Sequence, residues 1–208
     1  MMEGCLFLVW SDKMSHYFEN DKNLKSELKK INCSMFNKKF TFYTDNGVFA
    51  KKGVDYGSKL LLESIESNNY TSILDVGCGY GTLGIILNKI YNCPVTMVDV
   101  NKRALHLTKK NILENKCDNI ETFESDAYQN INKKYDLIVT NPPIHAGKKK
   151  VYEILIEARE HLNKDGKLYF VIHKDQGAKS VVKDLSNIYK IEVVAKDKGF
   201  FIILAENS

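Results

Sequence analysis

The sequence predicts an α/β protein with a seven-stranded, mainly parallel sheet and helices on both faces. An antiparallel C-terminal edge strand closes the sheet and a β-hairpin precedes it. Three observations carry this prediction. From Thr71 onward, short β-branched runs alternate with helical patterns, which implies right-handed crossovers and a covered parallel sheet. The first of these strands runs into a glycine-rich loop, Asp75-Val76-Gly77-Cys78-Gly79-Tyr80-Gly81. The last two strands are joined only by Lys196–Gly199, a connection short enough to make them an antiparallel pair.

Along the chain, Thr71–Asp75 reads as a strand and Gly81–Tyr91 as a helix; Val95–Asp99 is a strand. Lys102–Asn115 is a helix with Ala104, Leu105, Thr108 and Ile112 on one face. Ile120–Glu124 and Tyr135–Thr140 are strands, and the second ends at Asn141-Pro142-Pro143. Val151–Leu162 is a helix closed by an Asp165-Gly166 turn, followed by strand Lys167–Ile172 and helix Gln176–Ser186. Ile191–Ala195 and Phe200–Leu204 are the closing strands. Upstream, Phe40–Thr44 alternates like a strand, Asp45-Asn46-Gly47 is a turn signal, and Val48–Ala50 reads as its return strand. Gly57-Ser58 opens a helix through Ile65 with Ser58 as N-cap, and Asn23–Ile31 reads as a short basic helix.

Composition narrows the class. A chain of 208 residues with 44% hydrophobic and 27% charged residues can bury a core and is not disordered. No apolar run approaches the roughly 18 residues a membrane helix needs. The six-residue run Cys5–Trp10 lacks the flanks of a signal peptide. The five cysteines are scattered, with no Cys-x-x-Cys pair or Cys/His cluster, so no disulfide framework and no metal site are expected. A reduced, cytoplasmic protein is the expectation. The net charge of +4 is uneven: residues 13–59 hold ten Lys against five acids, a net +5. Residues 1–13 read as an N-terminal extension and a non-native start, 14–58 as a hairpin and cap segment, and 59–208 as the main domain.

The glycine loop sits where parallel sheets bind ligands, at the carboxyl end of a strand. Its glycines fall at 77, 79 and 81, and position 82 is Thr, so the G-x-G-x-x-G dinucleotide fingerprint is absent. Asp99 ends the second strand, where a carboxylate can accept both hydroxyls of a ribose. Asp126, in Ser125-Asp126-Ala127 after the third strand, can accept from an adenine amine. Asn141 and the carbonyl of Pro142 offer two acceptors for the two N–H groups of a planar amine, and the prolines hold those acceptors in place.

The run D-x-G-x-G-x-G resembles the first motif of class I S-adenosylmethionine-dependent methyltransferases. Asn141-Pro142-Pro143-Ile144 resembles the fourth motif of those that methylate exocyclic or amide nitrogens. His16-Tyr17-Phe18, Phe42–Phe49, Val54–Leu61, Leu74–Gly84, Asn141–Lys148 and Gln176–Ser180 together resemble the small-domain ribosomal RNA guanine-N2 methyltransferase group, in its short single-domain form. The chain departs from the aromatic form of that group at Ile144, which leaves the base less defined than the reaction.

The resemblance implies a Rossmann-like fold, S-adenosyl-L-methionine as methyl donor, and ribosomal RNA or a ribosomal subunit, 16S rRNA first, as partner, without metal or membrane. It implies catalytic roles for Asn141, Pro142, Pro143 and Ile144. Cofactor contacts would come from Asp75, Gly77, Cys78, Gly79, Gly81, Asp99, Val100, Asn101, Asp126, Ala127 and Asn141. Substrate contacts would come from Phe49, Tyr56, His145 and Lys148, with Tyr43 as a further pocket residue. Lys38, Lys39, Lys51 and Lys52 would meet phosphates over the mouth of the site. The rivals are a protein glutamine N5-methyltransferase and a non-catalytic S-adenosylmethionine- or RNA-binding module; a monomer is favoured over a dimer.

Overall fold

A computed structural model describes residues 25–50, 53–143 and 146–207. The expectations for residues 1–13, His16-Tyr17-Phe18, Lys51, Lys52, Ile144 and His145 lie outside the described residues. Seven strands form one sheet: β3 (Ile73–Val76), β4 (Val95–Asp99), β5 (Ile120–Glu124), β6 (Tyr135–Thr140), β7 (Leu162–His173), β8 (Tyr189–Asp197) and β9 (Phe200–Asn207). Their order is β5-β4-β3-β6-β7-β9-β8. The closing hairpin forms one edge, with β9 antiparallel to both neighbours and β8 outermost.

Strand alternation sends successive side chains to opposite faces, and the core divides accordingly. Ile73, Met97, Leu137, Tyr169 and Val171 point to one face. There they pack with α1 (Tyr56–Ser64), α2 (Thr82–Tyr91) and α3 (Lys102–Glu114). Leu74, Val98, Ile138, Phe170 and Ile172 point to the other, against α4 (Lys148–Glu157) and α5 (Ala178–Leu185).

The N-terminal hairpin pairs β1 (Lys29–Met35) with β2 (Lys38–Thr44). Its turn is Phe36-Asn37, both left-handed at φ 51° and 59°, as a two-residue connection between twisted strands requires. This corrects three expectations. Ile31 lies in β1 rather than in a basic helix, Asp45-Asn46-Gly47 is not the hairpin turn, and Val48–Ala50 is not a strand. The physical reason is that helix α3 already occupies the outer edge of β2. Asn111 accepts from the Tyr43 amide at 2.6 Å and donates to the Tyr43 carbonyl at 3.0 Å. Asn115 repeats the pattern on Thr41, at 3.0 and 2.7 Å. Two side-chain amides one helical turn apart thus match residues two apart on a strand and stand in for a third strand. Asn111 also donates to the Tyr80 carbonyl at 2.8 Å, which ties the hairpin to the glycine loop.

Two other boundaries shift. Asp165-Gly166 stays inside β7 as an irregularity opposite Tyr135 rather than forming a turn. A Cβ on Gly166 would lie 2.8 Å from the Tyr135 carbonyl oxygen, so only glycine allows that approach. The helix expected over 151–162 begins earlier, at Lys148, and tightens into a 3₁₀ turn over Ala158–His161.

Asn111 is fully buried, so replacing it strands three backbone groups without partners. The Asn111→Leu variant should lose about 3 kcal/mol of stability, measured by urea denaturation.

Candidate active site

The strand order reverses between β3 and β6, and a crevice opens where their loops part. Thr140 at the end of β6 donates to the Val76 carbonyl at 2.8 Å and locks the two strand ends together. A cavity of about 940 Å³ lies beyond them. Single ligand sites commonly span about 300–1,000 Å³, so this one lies toward the upper end of that range.

The glycine loop forms one wall. The Gly79 amide donates to Asp99 Oδ2 at 2.8 Å, and the Gly79 carbonyl accepts from Thr108 at 2.8 Å. Gly79 is left-handed at φ 58°, with nothing within 4 Å of where a Cβ would stand. Its backbone therefore faces open space that a ligand can enter. Gly81 serves the fold instead: it sits at φ 94° before α2, where a Cβ would come 3.0 Å from Ile85 and Thr108.

Two buried carboxylates back this loop. Asp99 accepts from the amides of Gly79 and Asn101, each at 2.8 Å and each on a different oxygen. These two bonds fix the carboxylate in the cavity lining. Asp75 is fully buried; Oδ2 accepts from the Gly84 amide at 2.9 Å, and Oδ1 has no partner among the described residues. Burial pushes its carboxyl up to about 7, against the opposing hydrogen bond from Gly84.

The opposite wall carries Asn141-Pro142-Pro143. The Asn141 amide nitrogen donates to Ser58 Oγ at 3.0 Å and to Asp55 Oδ1 at 3.3 Å. That orientation leaves Oδ1 as the acceptor. Ser58 is therefore not the N-cap of α1; Asp55 is, accepting from the Ser58 amide at 3.0 Å. Gly57 allows this terminus to seat deeply, because a Cβ there would meet Phe200 and Val171 at 3.0–3.2 Å.

Of the residues expected from sequence, Asp75, Gly77, Cys78, Gly79, Asp99, Val100, Asp126, Ala127, Asn141, Pro142, Pro143, Phe49 and Tyr56 line the cavity. Gly81, Asn101 and Lys148 do not. Asn101 caps α3 and donates to the Gly47 carbonyl at 3.1 Å. Lys148 stands over the Tyr152 ring, and Lys150 takes the place at the cavity, 2.6 Å from Asp126. Tyr43 lies outside the cavity lining, with Lys110 over its ring.

The lysine-rich segment is also placed differently from expectation. Lys38 and Lys39 begin β2, roughly 20 Å of strand from Thr44, whereas the stretch that reaches the cavity is Asn46–Ala50. That stretch is anchored by Asp45. Burial pushes the Asp45 carboxyl up, but donors from Ser26, the amides of Glu27 and Asn46, and the charge of Arg103 outweigh it and hold it below the usual range.

Sequence reasoning missed Asp55, Ser58, His173, Gln176 and Phe200, all of which line the cavity, whereas Lys150 belongs to the run Lys148-Lys149-Lys150 that the sequence marks as a candidate phosphate contact. Asp55, Ser58 and Gln176 fell inside motifs that had been recognised, so a signal existed. His173 and Phe200 had none: they meet as a register pair of β7 and β9, with rings 4.9 Å apart edge to face.

A glycine loop, a carboxylate at the end of β4 and an Asn-Pro-Pro loop around one switch-point cavity define a methyltransferase of the Rossmann-like class. Residues 39–204 match the methyltransferase small domain family, and the chain belongs to it. The uncharacterized protein YbxB of Bacillus subtilis is 41% identical over 196 residues, covering 92% of this chain and 98% of that one. The ribosomal RNA small subunit methyltransferase C of Haemophilus influenzae is 33% identical over 172 residues, 80% of this chain. The chain spans about half the length of that relative, 51%. Among solved structures, the T. thermophilus 16S rRNA N2 G1207 methyltransferase (RsmC), in complex with AdoMet and guanosine, matches with a TM-score of 0.78 at 22% identity. It covers 89% of this chain and 52% of its own.

The protein is thus an S-adenosylmethionine-dependent methyltransferase. The residues present fit that cofactor: the open backbone of Gly79 and the Asp99 carboxylate line one cavity, with the buried Asp75 carboxylate behind the loop.

Two predictions follow from the carboxylates. Asp99→Ala should weaken S-adenosylmethionine binding by about tenfold or more, read by calorimetry. Asp75, raised in the folded state from a usual value of about 4, should make the protein lose stability as pH rises from about 4 to about 7, with no further loss above. Denaturation midpoints across that range should show a flatter profile for Asp75→Asn.

Proposed function

We propose that this protein methylates the exocyclic N2 amine of a guanine in small-subunit ribosomal RNA. The observation that carries the reading is the Asn141 carboxamide, whose nitrogen is held by Asp55 and Ser58 so that its oxygen is the free acceptor. A nucleobase amine has two N–H donors and a lone pair delocalised into the ring. Asn141 Oδ1 and the Pro142 carbonyl would accept those two hydrogens, which favours a pyramidal nitrogen with its lone pair aimed away from both acceptors.

When bound, S-adenosylmethionine supplies a methyl group on a positively charged sulfur. Gly77, Gly79, Asp99, Asp126 and Ala127 would hold it, and Asp75 would lie behind the loop. Orientation of the amine supplies much of the rate in such a reaction, and the surplus proton can leave to solvent after transfer. Tyr56, His173 and Phe200 form an aromatic wall at the Asn141 side of the cavity, suited to a planar base. A base within a duplex must leave its stack to enter, at a cost of about a few kcal/mol.

One finding supports RNA as the substrate class: the 33% identity to a named small-subunit rRNA methyltransferase. The Asn-Pro-Pro loop suits a planar nitrogen of either a nucleobase or an amide. A cytoplasmic location follows from that substrate. Asn141→Ala should abolish transfer of labelled methyl to small ribosomal subunits from a strain lacking the gene, while calorimetric affinity for S-adenosylmethionine stays within a few-fold. Wild-type transfer by this variant would remove the assigned role.

A further inference from the structure

We propose that Asp55 is a positioning residue for methyl transfer: it dictates which way the Asn141 carboxamide faces. The inference rests on reading Asn141 as the group that holds the acceptor amine. A carboxamide can sit in its site in two orientations of similar shape, with either nitrogen or oxygen toward the cavity. Only the orientation with oxygen inward offers an acceptor to an amine; the other sets donor against donor.

Two side chains touch the outward side of this amide, and they differ in what they allow. Ser58 Oγ, 3.0 Å from Asn141 Nδ2, can donate or accept. It tolerates both orientations. Asp55 Oδ1, 3.3 Å from the same nitrogen, is acceptor-only when ionised. Flipping the amide would set its oxygen against a carboxylate oxygen and break a charge-assisted hydrogen bond. Asp55 is thus the selector and Ser58 a support.

The backbone fixes both side chains. Asp55 caps α1 and Ser58 stands three residues on, so they share one side of the first turn. The missing Cβ of Gly57 leaves room for Phe200 and Val171 and lets that turn seat closely on them, while Asn141 lies 86 residues from Asp55 in sequence.

The alternative is that Asp55 only caps the helix. The cap bond and the bond from Asn141 both fall on Asp55 Oδ1, so an asparagine there would keep the acceptor. Ser and Asp cap helices about equally well, and a serine hydroxyl can donate as well as accept, so Asp55→Ser keeps the cap and removes the selection. As a selector, Asp55→Ser should lower kcat at least about tenfold, with S-adenosylmethionine affinity, RNA KM and melting temperature close to wild type. A second readout needs no turnover. In 15N-labelled protein, the Asn141 side-chain amide signals, assigned by their loss in Asn141→Ala, should move in Asp55→Ser. Wild-type kcat in Asp55→Ser, or unmoved Asn141 signals, overturns the proposal. If Asn141→Ala is itself active, the reading of Asn141 falls; if it is dead while Asp55→Ser is normal, only the role of Asp55 falls.

Discussion

Parallel strands release their chain at one end of a sheet, and two neighbouring strands whose connections run opposite ways must leave a gap between their loops. β3 and β6 are that pair here. The bond from Thr140 to the Val76 carbonyl closes the sheet below the gap. Above it the glycine loop turns one way and Asn141-Pro142-Pro143 the other. Every functional residue described is placed relative to these two loops, and the remaining structure supports them from outside. Asp99 and Thr108 hold the Gly79 peptide from both sides. Asp55 and Ser58 hold the Asn141 amide. Each of these contacts joins residues far apart in the chain, so the cavity is a tertiary construction made of short local motifs.

The N-terminal segment shows how a small addition becomes part of such a site. The hairpin alone could not be stable, since an isolated pair of strands is marginal in water. Phe40 and Phe42 bury against the domain, and Phe42 meets Tyr80 of the glycine loop edge to face at 5.9 Å. Asn111 and Asn115 complete its hydrogen bonding. The Tyr80 hydroxyl in turn donates toward the carbonyls of Ala50 and Gly53, at 3.2 and 3.3 Å. One residue of the glycine loop therefore anchors both the hairpin and the chain leading into α1. Binding at the loop and the position of Asp55 share a mechanical support.

Much of this was legible in the sequence, for local reasons. β4, β5 and β6 fall on their expected residues because each is a short apolar or β-branched run bounded by polar loops. The glycine loop, Asp99 and Asn141 were legible because their spacing to strand ends is set within a few residues. The hairpin was misjudged because Asp45-Asn46-Gly47 is a stronger local turn signal than Phe36-Asn37. What overrides it is Asn111, 68 residues from Tyr43. His173 and Phe200 were illegible for the same reason: their meeting depends on β9 inserting beside β7, and no local pattern encodes an antiparallel register.

The central claim is that a guanine N2 in small-subunit ribosomal RNA receives the methyl group. The most direct test is mass spectrometry of nucleosides from small-subunit rRNA of cells with and without this gene. The account predicts that deletion removes one N2-methylguanosine and that the wild-type gene, but not Asn141→Ala, restores it. An unchanged N2-methylguanosine content in the deletion strain would contradict it.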